Sequence, residues 1–208
     1  MHADRAARAP ISRWTRIAAT AVVACAALLG ACSKPQDFTN VDITGSKSFA
    51  TDFSLPDTHG KVRTLADYKG KAVVLFVGYT HCPDVCPATM AELAQAMQRL
   101  GPDASKVQVL FVTLDPARDT PAVLDAYVHA FNPAFEGLRP ASDADLAAFA
   151  KAFRVVYAKV PDKSGDGYTL DHTAGSYVFD PSGQLRLFAR DGQGPDPWVH
   201  DLQLLLGS

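Results

Sequence analysis

The chain has 208 residues, 48% of them hydrophobic and 20% charged, with a formal net charge of −2. That balance excludes a disordered chain, which lacks the apolar residues to build a core. Nucleic-acid binding, which needs a basic stripe, is excluded as well once the N-terminus is set apart. Arg5, Arg8, Arg13 and Arg16 form a basic region, an apolar run over 17–29 follows, and small residues lead to Cys32. This is the layout of a secretory signal over 1–31, and its apolar run is short for a membrane span of about 20 residues. Losing 1–31 removes those four arginines and Asp4, three net positive charges, so the charge of the remainder moves from −2 to −5.

Leu29-Gly30-Ala31-Cys32 is similar to a bacterial lipobox, in which the cysteine is lipidated after cleavage. The alternative is an uncleaved N-terminal anchor helix. Both place the folded part outside the cytoplasm, membrane-anchored in a bacterial cell envelope and facing the periplasm. Residues 33–48 mix Ser, Lys, Pro, Asp, Asn and Gly, so 32–48 reads as the lipidated cysteine and a flexible tether, and 49–208 as a single folded domain.

Phe53 and Leu55 alternate with polar neighbours, and a turn at Gly60 leads to a short strand over 62–64. The run AVVLFVG over 72–78 is continuous, apolar and β-branched, as a buried central strand requires. Residues 88–100 follow helical periodicity until Gly101-Pro102 stops them, and 107–114 reads as a second buried strand. Thr120-Pro121 caps and opens a helix to about Phe131. A third helix is expected over 143–153, capped by Ser142 or Asp143, and then a strand over 155–160. Strands at 176–179 and 185–188 flank the turn Asp180-Pro181-Ser182-Gly183, and 197–206 closes the chain as a helix. The pattern predicts an α/β fold: a central mixed sheet with helices on both faces.

Four cysteines are present, and Cys82 and Cys86 are the two that fall in the folded domain, since Cys25 lies in the signal and Cys32 is the lipidation candidate. A close pair in an oxidising compartment is a disulfide, a redox couple or a metal site. A crosslink over so short a loop removes little unfolded-state entropy, which favours chemistry over a static bridge. A structural zinc site usually takes four protein ligands, and the cysteines run out at two. If Cys82 opens the helix, Cys86 stands one turn up on the same face, with the positive helix end favouring thiolate. Two thiolates suit soft ions, above all Cu(I). Of the histidines, His81 adjoins Cys82 but is expected to point elsewhere. His59, His129 and His200 read as surface residues, and His172, taken alone, as polar packing before a strand.

Three segments then stand together: Thr80-His81-Cys82-Pro83-Asp84-Val85-Cys86-Pro87, Leu114-Asp115-Pro116-Ala117-Arg118-Asp119-Thr120-Pro121 and Asp171-His172-Thr173. In order and spacing they resemble the SCO/SenC family. The resemblance covers roughly 49–206, nearly all of the mature domain, and implies a thioredoxin-like fold tethered on the outer side of an energy-conserving membrane. It implies that Cys82, Cys86 and His172 bind copper and that the protein helps assemble the copper-A centre of cytochrome c oxidase. The implied partners are the oxidase subunit that carries copper-A and an upstream periplasmic copper donor. Two thiolates and an imidazole accept Cu(I) and also tolerate Cu(II). Asp115, Arg118 and Asp119 are read as strand-end and helix-start residues held by caps and ion pairs, with no ligand role. Asp84 reads as a first-turn helix residue.

The rival reading is thiol–disulfide exchange by Cys82 and Cys86 on an oxidase subunit, since the fold is shared with redox proteins. Against a general oxidoreductase, three residues separate the cysteines rather than two, and Asp171-His172-Thr173 stands where thioredoxins carry a proline. A peroxidase is a weaker option, because Thr80-His81-Cys82 is one residue short of the Thr-x-x-Cys spacing. A periplasmic module with a permanent disulfide is the non-catalytic alternative.

Overall fold

The computed structural model describes residues 37–161 and 167–207; the signal, Cys25 and the lipidation candidate Cys32 lie outside the described residues. Contacts divide the chain after Asp37, and the architecture below is that of the unit beginning at Phe38.

Among the described residues, ten strands and four α-helices follow in chain order. The two apolar runs form β4 (Ala72–Gly78) and β5 (Val107–Thr113), each buried along its whole length. They pair in parallel, Phe76 opposite Phe111, and form the middle of a six-stranded sheet ordered β1-β10-β9-β4-β5-β6. Here β1 is Val41–Asp42, β6 Glu136–Leu138, β9 Ser176–Phe179 and β10 Leu185–Ala189. Strand β9 runs antiparallel to β4, which makes the sheet mixed as expected. Two hairpins stand outside it: β2 (Ser54–Pro56) with β3 (Val62–Thr64), and β7 (Tyr157–Pro161) with β8 (Tyr168–His172).

The period-two alternation of strand side chains decides where the helices lie. On one face the rings of Phe76 and Phe111 stack at 5.3 Å, and Phe111 meets Tyr127 of α2 (Pro121–Phe131). On the other face Tyr177, paired with Leu75, packs against Phe153 of α3 (Asp143–Phe153), and its hydroxyl donates to the Phe153 carbonyl. Helix α1 (Val85–Leu100) packs on α4 (Pro195–Leu206) and touches α2. The caps are those the sequence predicts: the Thr120 hydroxyl accepts the Val123 N–H, and the Ser142 hydroxyl accepts the Asp145 N–H.

Three expectations change. Helix α1 begins at Val85, so Cys82 is not its first residue but stands in the turn before it. The segment expected to be a tether through Ser48 is bound from Thr39 onward. The buried Asp201 carboxylate of α4 accepts the N–H groups of Thr39 and Asn40 and the Asn40 side-chain amide, all within 2.9 Å, and β1 then extends the sheet edge. A buried carboxylate needs such donors, which composition alone does not reveal. The strand expected over 155–160 forms, as β7, but leaves the central sheet to pair with β8.

Asp119 is fully buried in the turn between β5 and α2. Its carboxylate accepts three hydrogen bonds: from the Thr80 N–H at 3.0 Å, the Thr80 hydroxyl at 2.6 Å and the Thr113 hydroxyl at 2.5 Å. This fixes the turn that carries Cys82 to the end of β5. Asp119→Ala orphans those donors, each worth about 1–3 kcal/mol when left buried and unpaired. The expected outcome is a loss of about 2 kcal/mol or more, measured as a lower urea midpoint with an unchanged m-value.

Candidate metal centre

The turn from Tyr79 to Asp84 leaves the end of β4 and delivers two sulfurs to one place. Cys86, in the first turn of α1, is fully buried; Cys82 is half-buried, and both are free thiols. Cys86 reaches the sheet because residue 78 is glycine: a Cβ there would stand 2.8 Å from the Cys86 sulfur and 3.1 Å from the Phe76 ring. The Cys82 sulfur accepts the Cys86 N–H at 3.5 Å, so from outside the helix it does what a capping side chain does.

The two thiols differ sharply in acidity. The Cys86 S–H donates to Cys82 and, against the opposing effect of burial, holds the Cys82 thiol down at about 5, aided by the Asp84 and Cys86 N–H groups and by His172. Cys86 is pushed far up, first because it is the donor in that bond and then by its own burial. At neutral pH the pair therefore holds one proton, on the inner sulfur.

The third expected donor arrives from a segment far along the chain. His172 ends β8, and its Nε2 lies 3.9 Å from the Cys86 sulfur. Its Nδ1 is 2.8 Å from the Thr173 carbonyl oxygen. A carbonyl only accepts, so Nδ1 carries a hydrogen, and Nε2, whose lone pair is free whenever the ring is neutral, faces the thiol. Such a bond fixes tautomer and ring orientation in metal-ligating histidines. Tyr79 meets the His172 ring edge-on, with centroids 6.0 Å apart. Among the described residues no three His, Cys, Asp or Glu side chains already enclose a single coordination point. What is in place is a sulfur pair and an imidazole whose free lone pair points at it.

What keeps β8 beside the cysteine turn is the second motif. Arg118 donates from Nη1 to the Tyr168 carbonyl at 2.8 Å and from Nε to Asp115. Its guanidinium lies 3.7 Å from the centroid of the Tyr168 ring and 5.9 Å from that of Tyr79. The Tyr168 hydroxyl closes the set on Asp115 at 2.8 Å. The ion pair expected from the sequence is present, and it extends across to the strand that carries His172. Tyr168 lies four residues before His172 on β8, and so on the same face of that strand; that spacing was a legible signal which sequence reasoning passed over. Asp191, in the β10–α4 loop, was also missed. Burial, with the charges of Glu92 and Cys82 nearby, pushes its carboxyl up to about 7.

The other histidines lie away from the sulfurs. His81 turns to the Thr80 hydroxyl and Asp119, and His200 to Asp201 and Thr39, while His59 and His129 flank Asp125. Asp84 stands at the N-cap of α1.

Comparison with known proteins places the fold. Mitochondrial SCO2 homolog of Bos taurus is 40% identical over 134 residues, covering 64% of this chain and 50% of the relative. SCO2 of Saccharomyces cerevisiae is 38% identical over 143 residues, covering 68% and 47%. The chain thus spans about half the length of the curated relatives it matches. The structure of Bradyrhizobium japonicum ScoI with copper bound superposes with a TM-score of 0.65 at 40% identity, over 76% of this chain and 99% of that one. Copper-bound yeast Sco1 gives 0.68 at 31% identity, over 77% and 90%. The thioredoxin-like fold expected from the sequence is therefore the fold observed. The SCO1/SenC family profile matches residues 41–207, and the chain belongs to that family.

Proposed function

We propose that this chain is a copper-binding assembly factor for cytochrome c oxidase, taking copper on Cys82, Cys86 and His172 and passing it to the copper-A-bearing oxidase subunit. The observation that carries the reading is the His172 imidazole, its Nδ1 tied to the Thr173 carbonyl and its Nε2 3.9 Å from the Cys86 sulfur. Family membership supports it, as do the copper-bound structures of two family members.

The donors fit the cargo. Thiolate sulfur and imidazole nitrogen select Cu(I) and can hold Cu(II). Cys82 is already thiolate at neutral pH, so an incoming soft ion meets a charged sulfur at the half-exposed position. The inner sulfur then gives up its proton as the ion is drawn in, since ligating thiols must be deprotonated. A site with three protein donors leaves room for a ligand from the recipient, as transfer requires. The placement that suits this role is the one expected from the N-terminus: Cys32 lipidated, or 1–31 kept as an anchor helix, with the domain on the periplasmic side of a bacterial membrane. Copper would reach it there from a donor protein in the same compartment.

The acidity difference between the thiols favours one second reading, thiol–disulfide exchange. The Cys82 thiolate would attack a disulfide sulfur of an oxidase subunit, the partner leaving as a thiolate. Cys86, once deprotonated, would then displace the reduced partner and close a Cys82–Cys86 disulfide.

Anaerobic Cu(I) titration against a chelator tests the primary reading. One equivalent is expected, with release of about one proton per ion at pH 7, because only Cys86 still holds one. Cys86→Ser or His172→Ala should weaken binding more than about tenfold, the loss that even outer partners of metal ligands cause. A chain that takes no copper, or that loads but cannot pass copper to the copper-A domain, contradicts it. Exchange chemistry is separated by the rate with an oxidised oxidase-subunit peptide: His172→Ala should leave that rate unchanged if exchange is the function, and copper loading reduced if delivery is.

The thiol asymmetry has its own measurement. Cys82 has a folded pKa depressed to about 5, so its thiolate persists above that value and is lost as pH falls through it. Iodoacetamide should modify Cys82 at a rate that is flat from about pH 6.5 to 8 and falls by half near 5, whereas an ordinary thiol gains rate up to about 8.5. Cys86 should resist modification throughout.

A further inference from the structure

The turn between β2 and β3 meets α2 at a cavity of about 170 Å³ that shares no lining residue with the cysteine site. His59 comes from the turn. Asp125 and His129 stand one helical turn apart on α2 and so on one face. Asp125 is the centre. Its Oδ1 accepts the Thr58 hydroxyl at 2.7 Å and lies 3.9 Å from His59 Nε2, while its Oδ2 lies 3.3 Å from His129 Nδ1. The Thr58 bond, with both imidazoles nearby, holds the Asp125 carboxyl below its ordinary range.

The charges lining the cavity favour a cation. Arg63 is already engaged, 2.8 Å from Asp57 and 3.8 Å from Glu136. Against that one guanidinium stand three carboxylates, Asp57, Asp125 and Glu136, so the lining carries two net negative charges with the imidazoles neutral. The plain account is two exposed histidines, each pairing with an acid, an arrangement worth at most about 1 kcal/mol. It does not explain why two imidazoles from separate elements take opposite oxygens of one carboxylate.

We propose that His59, Asp125 and His129 form a second metal site, for a divalent borderline cation such as Cu²⁺ or Zn²⁺. Two imidazole nitrogens and a carboxylate oxygen are a donor set these ions take, with water completing the shell; without thiolate the set does not suit Cu(I). In the structure the three side chains pair with one another and do not enclose a point. Closure needs rotation of two solvent-facing rings, with side-chain exposures of 76% for His59 and 41% for His129. Asp125, held by Thr58, stays in place.

Residue-resolved NMR tests this on the chain carrying Cys82→Ser and Cys86→Ser, with Cu²⁺ added below one equivalent. The ring signals of His59 and His129 should broaden first, and those of His200, equally solvent-facing but paired with Asp201, should persist. At one equivalent the electron paramagnetic resonance signal should carry coupling to two nitrogens. The pair His59→Ala and His129→Ala should lower affinity by at least about tenfold. Broadening of all three histidines together, or undiminished affinity in that pair, overturns the proposal. If the serine background fails to fold, Zn²⁺-induced shifts of the same ring signals in the wild-type chain decide the matter equally well, because each histidine is read separately from the cysteine site.

Discussion

Two neighbouring side chains, Arg118 and Asp119, hold the candidate metal centre together. Asp119 takes three donors and locks the cysteine turn to the end of β5. Arg118 reaches the other way, to the Tyr168 carbonyl and ring, and holds the hairpin that ends in His172. Cys86 and His172 are 86 residues apart in sequence. Neither Cys82 nor His172 belongs to a segment that would hold this position on its own, since one stands in a turn and the other in a two-stranded hairpin outside the main sheet. Buried polar pairing does what apolar packing cannot do here, because it fixes direction as well as proximity.

The chemistry follows from the hydrogen bond between the two thiols and from their unequal burial. Were both thiols exposed, they would titrate alike and share no proton. Cys86 keeps the proton first because it is the donor to Cys82, and second because it is pressed against Gly78 and the sheet, where its charge is costly. The helix N-terminus then stabilises the outer thiolate. The result is a pair with a charged, half-exposed sulfur for capture and a protonated, enclosed one that commits only when an ion or an electrophile arrives. The proposed metal uptake and the alternative disulfide exchange would both begin from that state, and His172, useful only to the first, separates the two readings.

Much of the fold was legible because its elements announce themselves locally. The fully apolar β-branched runs of β4 and β5, Thr120-Pro121 and Ser142 as helix starts, and the turn at 180–183 each carry their own physical reason in adjacent residues. The short pieces were not legible. Strand β6 has three residues around Gly137, and β8 has only Tyr168 and Leu170 alternating with polar neighbours; both pair because a neighbour offers a hydrogen-bonding edge. The N-terminal segment reads as a tether by composition, and a buried carboxylate about 160 residues downstream makes part of it structure.

For the centre itself, sequence alone determined which atoms were available: two thiols at a strand-to-helix junction and a histidine whose setting resembles that of a known copper-binding family. It also determined that the set was short of a closed zinc site. Only the tertiary structure decided that the histidine faces the sulfurs, which ring nitrogen is free, which thiol keeps the proton and which residues hold the hairpin in place. Those properties depend on burial and on partners distant in the chain, and neither exists until the sheet has formed.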